Sequence, residues 1–290
     1  MTVSVVTGAN SGIGRATAIH LAANDHQVYG TVRDPGRAGK LQNMAAEAGV
    51  EVNLVTLDVA DDDSVRRGFD EILERAGRVD VLVNNAGVGG NAVVEETTPE
   101  EILDAVNVNV NGAIRCLKQV LPSMRERGSG AIVNITSVAG RFGAVAQAPY
   151  VASKWAFEGI SEQLAQELAP FGIRVVIVEP GVTKSAIFAK NTEMPNTSGA
   201  YDDQYRKMFN FYAAGVTNAT DPFEVGAVIH EAITTDKPRL RWACSWGGQE
   251  IIAGREKMTD DDWLELGRIT DDVAYNAKFL DLFGIDLSLE

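Results

Sequence analysis

Thr7-Gly8-Ala9-Asn10-Ser11-Gly12-Ile13-Gly14 closes a short β-branched run, Val3–Thr7, and opens a helical pattern over Gly14–Ala23. Its three glycines let the backbone turn tightly and let a ligand approach the main chain. The helix start presents unpaired N–H groups and a partial positive charge, a setting suited to a pyrophosphate. A purely structural turn also uses glycines, so position decides. The motif sits on the first strand–helix unit of a βαβ series, where it predicts dinucleotide binding through Gly8, Asn10, Ser11, Gly12, Ile13 and Gly14.

Outward from this turn, β-branched runs alternate with helical patterns. The runs are Gln27–Val32, Val52–Leu57, Val79–Asn84, Ala131–Thr136 and Ile173–Val178, and the helical segments are Asp62–Ala76, Pro99–Arg127 and Tyr150–Ala169. Runs that are apolar throughout suit strands covered on both faces. Strand–helix alternation implies an α/β fold: one doubly wound parallel sheet of about seven strands with helices on both faces, in a single domain over 1–290. The pattern loosens after Pro180. Residues 183–220 show no strand period and read as a substrate-binding loop region. A helix over Pro222–Thr234, a short strand over Arg239–Ala243 and an acidic, partly helical tail over 259–290 complete the reading.

The bulk chemistry excludes several functions. With 40 acidic against 26 basic residues the net charge is −14, which repels nucleic-acid phosphates and anionic lipid. Cys116 and Cys244 lack metal-ligand spacing and read as free thiols in a reducing compartment. The start of the chain reads as a strand, and no stretch of ~18 apolar residues occurs, so the expectation is a cytoplasmic protein without a membrane partner. His20, His26 and His230 lie far apart in sequence, and no metal site is expected.

The spacing Thr7-Gly8-x-x-x-Gly12-x-Gly14 resembles the cofactor loop of the short-chain dehydrogenase/reductase family, in its standard-length branch. The likeness continues through Asp58-Val59, Asn84-Asn85-Ala86-Gly87, Ser137, Tyr150, Lys154 and Pro180-Gly181. The stretch Ile135–Gly143 is similar to the hydroxysteroid and retinol dehydrogenase group. The resemblance implies a Rossmann fold and hydride transfer between a nicotinamide and a carbonyl or secondary alcohol. It also implies adenine contacts from Asp58 and Val59, further cofactor contacts from Asn85, Ala86, Gly87, Pro180, Gly181 and Val182, and assembly as a homodimer or homotetramer through Pro99–Arg127 and Tyr150–Ala169.

The residues supply chemistry for that reaction. Tyr150 and Lys154 are four apart at a helix start and share one face. A free phenol has a pKa of about 10. A neighbouring ammonium and an oxidised nicotinamide favour phenolate and are expected to lower it, tuning Tyr150 as the acid/base. Ser137 lies just past the fifth strand, at the sheet edge where ligands bind, and is placed to hold the substrate oxygen. The family's fourth catalytic member is an asparagine three residues before a glycine; among Asn107, Asn109 and Asn111 this selects Asn109. By the resemblance Tyr150 and Lys154 also touch the cofactor.

The end of the second strand decides between cofactors. NAD enzymes place a carboxylate there; this chain has Val32 followed by Arg33, which suits a bidentate pairing with a 2′-phosphate and favours NADP(H). Asp34 keeps NAD(H) open as the lesser alternative, and Arg15 is read mainly as a solvated helix residue. Thr183 and Ser185 both remain candidates for the nicotinamide amide. Phe142, Val145 and Phe188, with Val88, Ile187, Met194, Met208, Phe209, Phe211 and Tyr212, are candidates to shield a bulky apolar substrate from water, beside Ser137 and Tyr150. Two other readings stay open: a regulator that binds NADP(H) without turnover, and a dehydratase or epimerase on the same fold.

Overall fold

Seven strands carry the β-branched runs: β1 Thr2–Val6, β2 His26–Val32, β3 Val52–Thr56, β4 Val81–Asn84, β5 Gly130–Ile135, β6 Ile173–Pro180 and β7 Arg241–Cys244. The structure is a computed structural model, and it describes residues 1–185 and 195–288. The strands form one sheet in the order β3-β2-β1-β4-β5-β6-β7, every neighbouring pair parallel. The chain winds outward in both directions from the adjacent β1 and β4. Between their carboxyl ends lies the switch point where open α/β sheets take ligands.

Side chains along the strands alternate between two cores, one on each face of the sheet. Val81 and Val83 of β4 face one core with Val6, Val28, Val133 and Val176; Leu82 faces the other with Val5, Val55, Ile132 and Val175. The first core is closed by α1 Gly12–Ala22, α2 Gly39–Glu47 and α8 Pro222–Thr234, through Ile19, Leu41 and Ile229. The second is closed by α3 Asp62–Ala76, α5 Gly112–Arg127 and α6 Ala148–Leu168, through Phe69, Ile72, Leu117 and Leu164. Local signals set the helix ends. Asp61 caps α3 by accepting from Ser64 N, and Gly77 stops it in the left-handed region.

Three differences from the sequence reading have physical causes. Pro99–Arg127 is not one helix: α4 Pro99–Val106 passes into a π-type turn over Asn107–Asn111 before α5 begins. The inward side chain of this turn, Asn109, is held to a neighbouring loop, and such turns often mark functional positions. Residues 183–220 are not without structure, because α7 Asp202–Thr217 lies within them; its buried Tyr205 and Met208 are only three apart, and the buried polar Lys207 between them masks its period. Gly39–Glu47 was not anticipated, since only Leu41 and Ala45 of this short helix are buried.

The tail folds onto its own chain. Helices α9 Gly248–Lys257, α10 Asp260–Arg268 and α11 Asp272–Phe283 pack Ile251, Leu266, Tyr275, Phe279 and Phe283 against Val138 and Phe142. The three histidines, distant in sequence, converge: the His230 ring centroid is 5.7 Å from that of His20 and 5.8 Å from that of His26. Among the described residues no group of histidine, cysteine or acidic side chains is disposed to hold a metal, and no helix is long and apolar enough to cross a membrane. Cys116 and Cys244 are free and buried.

Candidate active site

The glycine turn is built for close approach. Gly8 adopts φ +67°, and a Cβ at Gly14 would stand 2.3 Å from Asn85 Nδ2 and 2.5 Å from the Gly8 carbonyl. Asn85 stitches the turn to β4, its Nδ2 donating to Thr7 O at 2.8 Å, while Thr7 Oγ1 accepts from the Asn85 and Ala86 amides at 2.9 and 3.0 Å. Gly87 packs 3.0 Å, measured from the position of a Cβ, from Asn109 Oδ1. Ser11 and Ile13 sit at the start of α1. Asn10 Oδ1 and Arg15 Nε are buried with no hydrogen-bond partner among the described residues. An acceptor and a donor left open beside a backbone cradle fit the hydroxyls and phosphates of a dinucleotide.

Around the rim of the same sheet edge, Asp58 Oδ1 accepts from Ala60 N at 3.0 Å and Val59 is buried against Gly112. Val32 is buried at the end of β2, and Arg33 follows it into solvent. Asp34 is engaged as a cap, accepting from Gly36 N at 2.9 Å. The reading of Arg15 as solvated is corrected: it is partly buried, donates to the Asn10 carbonyl, and its guanidinium is held below its usual pKa by that burial. Beyond β6, Gly181 N donates to Cys244 O at 2.8 Å and Val182 N to Trp246 O at 2.9 Å. Thr183 is buried with its hydroxyl 2.8 Å from Ser245 Oγ, whereas Ser185 lies over the glycine turn, 3.0 Å from where a Gly12 Cβ would be.

Ser137, Tyr150 and Lys154 come together at the carboxyl end of β5. Ser137 caps a short turn by accepting from Ala139 N at 3.2 Å and donates to Pro180 O at 3.4 Å. Its hydroxyl also hydrogen-bonds the Tyr150 phenol. Lys154, 7% exposed, donates from Nζ to Ile135 O at 3.0 Å and stands 5.6 Å from the Tyr150 ring centroid. Burial pushes the phenol above its ordinary value and Ser137 opposes this. Burial also drives Lys154 down to about 8, against a smaller pull from Glu158. The lowering expected from the ammonium together with an oxidised nicotinamide is not seen for the protein side chains alone, because desolvation is the first cause of the shift in both groups.

Asn109 is almost wholly buried, and its side chain is fully committed. Oδ1 accepts from Val88 N at 2.8 Å, and Nδ2 donates to Val88 O at 3.0 Å and to Ser153 Oγ at 2.8 Å. Asn107 binds Arg115 instead, through Oδ1 to Nη2 at 3.0 Å. Below Lys154, two buried acids, Glu158 and Glu179, have pKa values raised by burial and are bracketed by arginines. Arg141 Nη1 meets Glu179 at 2.8 Å, and Arg241 Nε lies 3.3 Å from Glu158 and 3.5 Å from Glu179.

On the open side, Phe142 is buried edge-on against Trp263, 6.3 Å between centroids, and Val145 packs with Met208 and Tyr212. Tyr212 donates to Asn91 Oδ1 at 3.0 Å, and its phenol is pushed up by burial and by the nearby Tyr150. Asn91, Gln204 and Lys207 near this side were not singled out from sequence; Asn91 lies just past a Gly-Gly pair, the signal available for it. Ile187, Phe188 and Met194 lie outside the described residues.

A family model described as short chain dehydrogenase matches residues 2–196. This chain belongs to the short-chain dehydrogenase family. The dehydrogenase is 36% identical over 266 residues, 91% of its length and 95% of the relative's, to a 3-ketodihydrosphingosine reductase of Bacteroides thetaiotaomicron. It is 34% identical to the 17-beta-hydroxysteroid dehydrogenase type 1 of Homo sapiens, covering 83% of this chain and 76% of that one. A short-chain dehydrogenase from Streptomyces avermitilis superposes with a TM-score of 0.80 at 37% identity, over 92% of this chain and 94% of that one. An actinorhodin polyketide ketoreductase solved with NADPH superposes with a TM-score of 0.72 at 33% identity, over 83% and 94%.

Proposed function

We propose that this oxidoreductase interconverts a bulky, apolar carbonyl compound and its secondary alcohol with NADP(H), Tyr150 acting as the acid/base. The observation that carries the reading is the meeting of Ser137, Tyr150 and Lys154 at the carboxyl end of β5, on the same sheet edge as a glycine turn with two buried polar atoms unpartnered among the described residues. NADPH, when bound, supplies the hydride that reaches the carbonyl carbon. Ser137 and Tyr150 hold the carbonyl oxygen, and as charge develops there Tyr150 gives it the phenolic proton. Lys154, brought down to about 8 by burial, is suited to return a proton to the phenolate, so the net change is one hydride and one proton added across C=O. Oxidation uses the same groups in reverse.

Several features support the finer points. Asp34 is spent as a turn cap, and Arg33 and Arg15 leave cationic character where a 2′-phosphate is read. Ser185, over the glycine turn, is read as the contact to the nicotinamide amide, and Thr183, whose hydroxyl is bonded to Ser245, as a structural neighbour. Asn109 is read as the member that shapes the proton path by fixing the π-type turn beside Lys154, because its side chain is already bonded. Phe142 and Val145 form the apolar wall, in keeping with relatives named for a sphingoid ketone and a steroid. The exposed Leu103 of α4 and Trp155 of α6 are read as contacts of a homodimer or homotetramer.

The reading is tested by a panel of steroid, retinoid, aromatic and aliphatic ketones and alcohols, followed by the absorbance of NADPH and of NADH. Turnover of apolar ketones with NADPH well above NADH is expected. Cofactor binding with no turnover across the panel would instead favour a regulator.

A further inference from the structure

A cavity of about 450 Å³ lies between the Phe142–Gln147 segment, which joins Ser137 to Tyr150, and helices α7, α10 and α11. Its size is that of a small-molecule site. The walls are largely apolar, supplied by Phe142, Phe211, Trp263, Leu266 and Phe279. Its charge is the reverse of the chain's. Against 40 acidic and 26 basic residues overall, the lining among the described residues includes Lys207 and Arg268 and no aspartate or glutamate.

Lys207 is the unusual group. It is 4% exposed, its Nζ donates to Gly267 O at 3.3 Å, and it stands 4.7 Å from the Tyr275 ring centroid. An ammonium has three donors and is costly to bury without a counter-ion. The acids on adjacent turns are already taken: Arg206 pairs with Asp203 at 2.7 Å and with Asp272 at 2.9 Å. Among the described residues no carboxylate forms an ion pair with Lys207; burial, with Arg206, holds its pKa below the ordinary lysine value against the weaker pull of Asp203 and Asp272. Gln204 adds an amide whose Oε1 is buried without a partner among those residues; turned about its last bond, the same amide presents a donor.

We propose that this cavity holds the far end of the substrate, and that this end is an apolar chain or ring system terminating in a carboxylate that pairs with Lys207. The inference rests on the carbonyl oxidoreductase reading, because the cavity's wall is the segment that leads into Tyr150. It specifies a keto acid, or hydroxy acid, whose reacting carbon and acidic end are separated by an apolar spacer.

Isothermal titration calorimetry with dodecanoate and methyl dodecanoate tests the site without relying on turnover. Dodecanoate is expected to bind roughly tenfold or more tighter than the ester, as a charge-assisted contact implies. Lys207→Met, which keeps the stem's volume, should collapse that preference to within about twofold. Ala144→Phe, which fills the cavity from the wall, should weaken both ligands. Circular dichroism checks that each variant is folded, and the wild-type comparison stands without them. Equal affinity for acid and ester, or a preference that survives in folded Lys207→Met, overturns the proposal. So does reduction of 11-oxododecanoate no faster, in kcat/KM, than that of its methyl ester. Lys207-dependent binding of dodecanoate without turnover of any ketone would sink the oxidoreductase reading while supporting the site.

Discussion

Lys154→Met should make the protein less active and, at neutral pH, more stable. The lysine is buried and its pKa falls from the ordinary 10.5 to about 8. Because the folded state binds this proton less tightly than the unfolded chain, the charge opposes folding below pH 8, and stability rises with pH between about 8 and 10.5. At pH 7 the shift costs about 3 kcal/mol, at ~1.4 kcal/mol per unit. By pH 10 the same linkage leaves a cost of only about 1 kcal/mol. Met removes the charge and keeps most of the stem, but it forfeits the hydrogen bond to Ile135 O, a loss of about 1 kcal/mol. Urea unfolding at pH 7 and pH 10 isolates the effect, since every other titrating group is common to both proteins. The wild type should gain about 2 kcal/mol relative to the variant between those two pH values. Parallel pH profiles for the two proteins would refute the buried-ammonium account of Lys154.

Gly14→Ala places a methyl group against Asn85 Nδ2 and the Gly8 carbonyl; an overpacking loss of about 1–3 kcal/mol in urea unfolding, with loss of NADPH binding, is expected. Arg33→Ala should raise KM for NADPH roughly ten- to hundredfold and leave KM for NADH nearly unchanged, which steady-state kinetics with both cofactors will show. His20 and His26 have pKa values lowered by burial and, secondarily, by His230. The unfolded chain therefore binds more protons below about pH 6.5, and stability should fall as pH drops through that region. In His230→Gln the thermal midpoint should lose less between pH 7 and pH 5.5, and an unchanged slope would remove the histidine contact from the explanation.

What the sequence made legible was whatever a local pattern encodes. Thr7–Gly14 announced the switch-point turn because Gly8 and Gly14 meet backbone constraints set within that stretch and by Asn85. The β4 run was legible because strands covered on both faces are apolar throughout. The break at Asn107–Asn111 was not, because it depends on Asn109 reaching Val88, 21 residues away, and Ser153, 44 away. Convergence of the histidines rests on α8 packing beside α1 and β2, a tertiary fact with no local signature. Helix α7 and the cavity it lines were hidden for a similar reason: Lys207 looks like any surface lysine until Gly267 and Tyr275 of the tail close over it. The burial that raises the Tyr150 phenol and lowers the Lys154 ammonium was not legible, because spacing reveals neighbours but not desolvation.

The most direct test of the central claim is Tyr150→Phe, measured twice on one preparation. Calorimetry should give an NADPH affinity within about threefold of wild type, since only one hydroxyl is removed and the glycine turn is untouched. Turnover of any ketone that the wild type reduces should fall by about 10³-fold or more, the scale of a positioned acid/base together with a hydrogen bond to the substrate oxygen. Turnover within tenfold of wild type, with NADPH still bound, would contradict the assignment of Tyr150 as the proton donor.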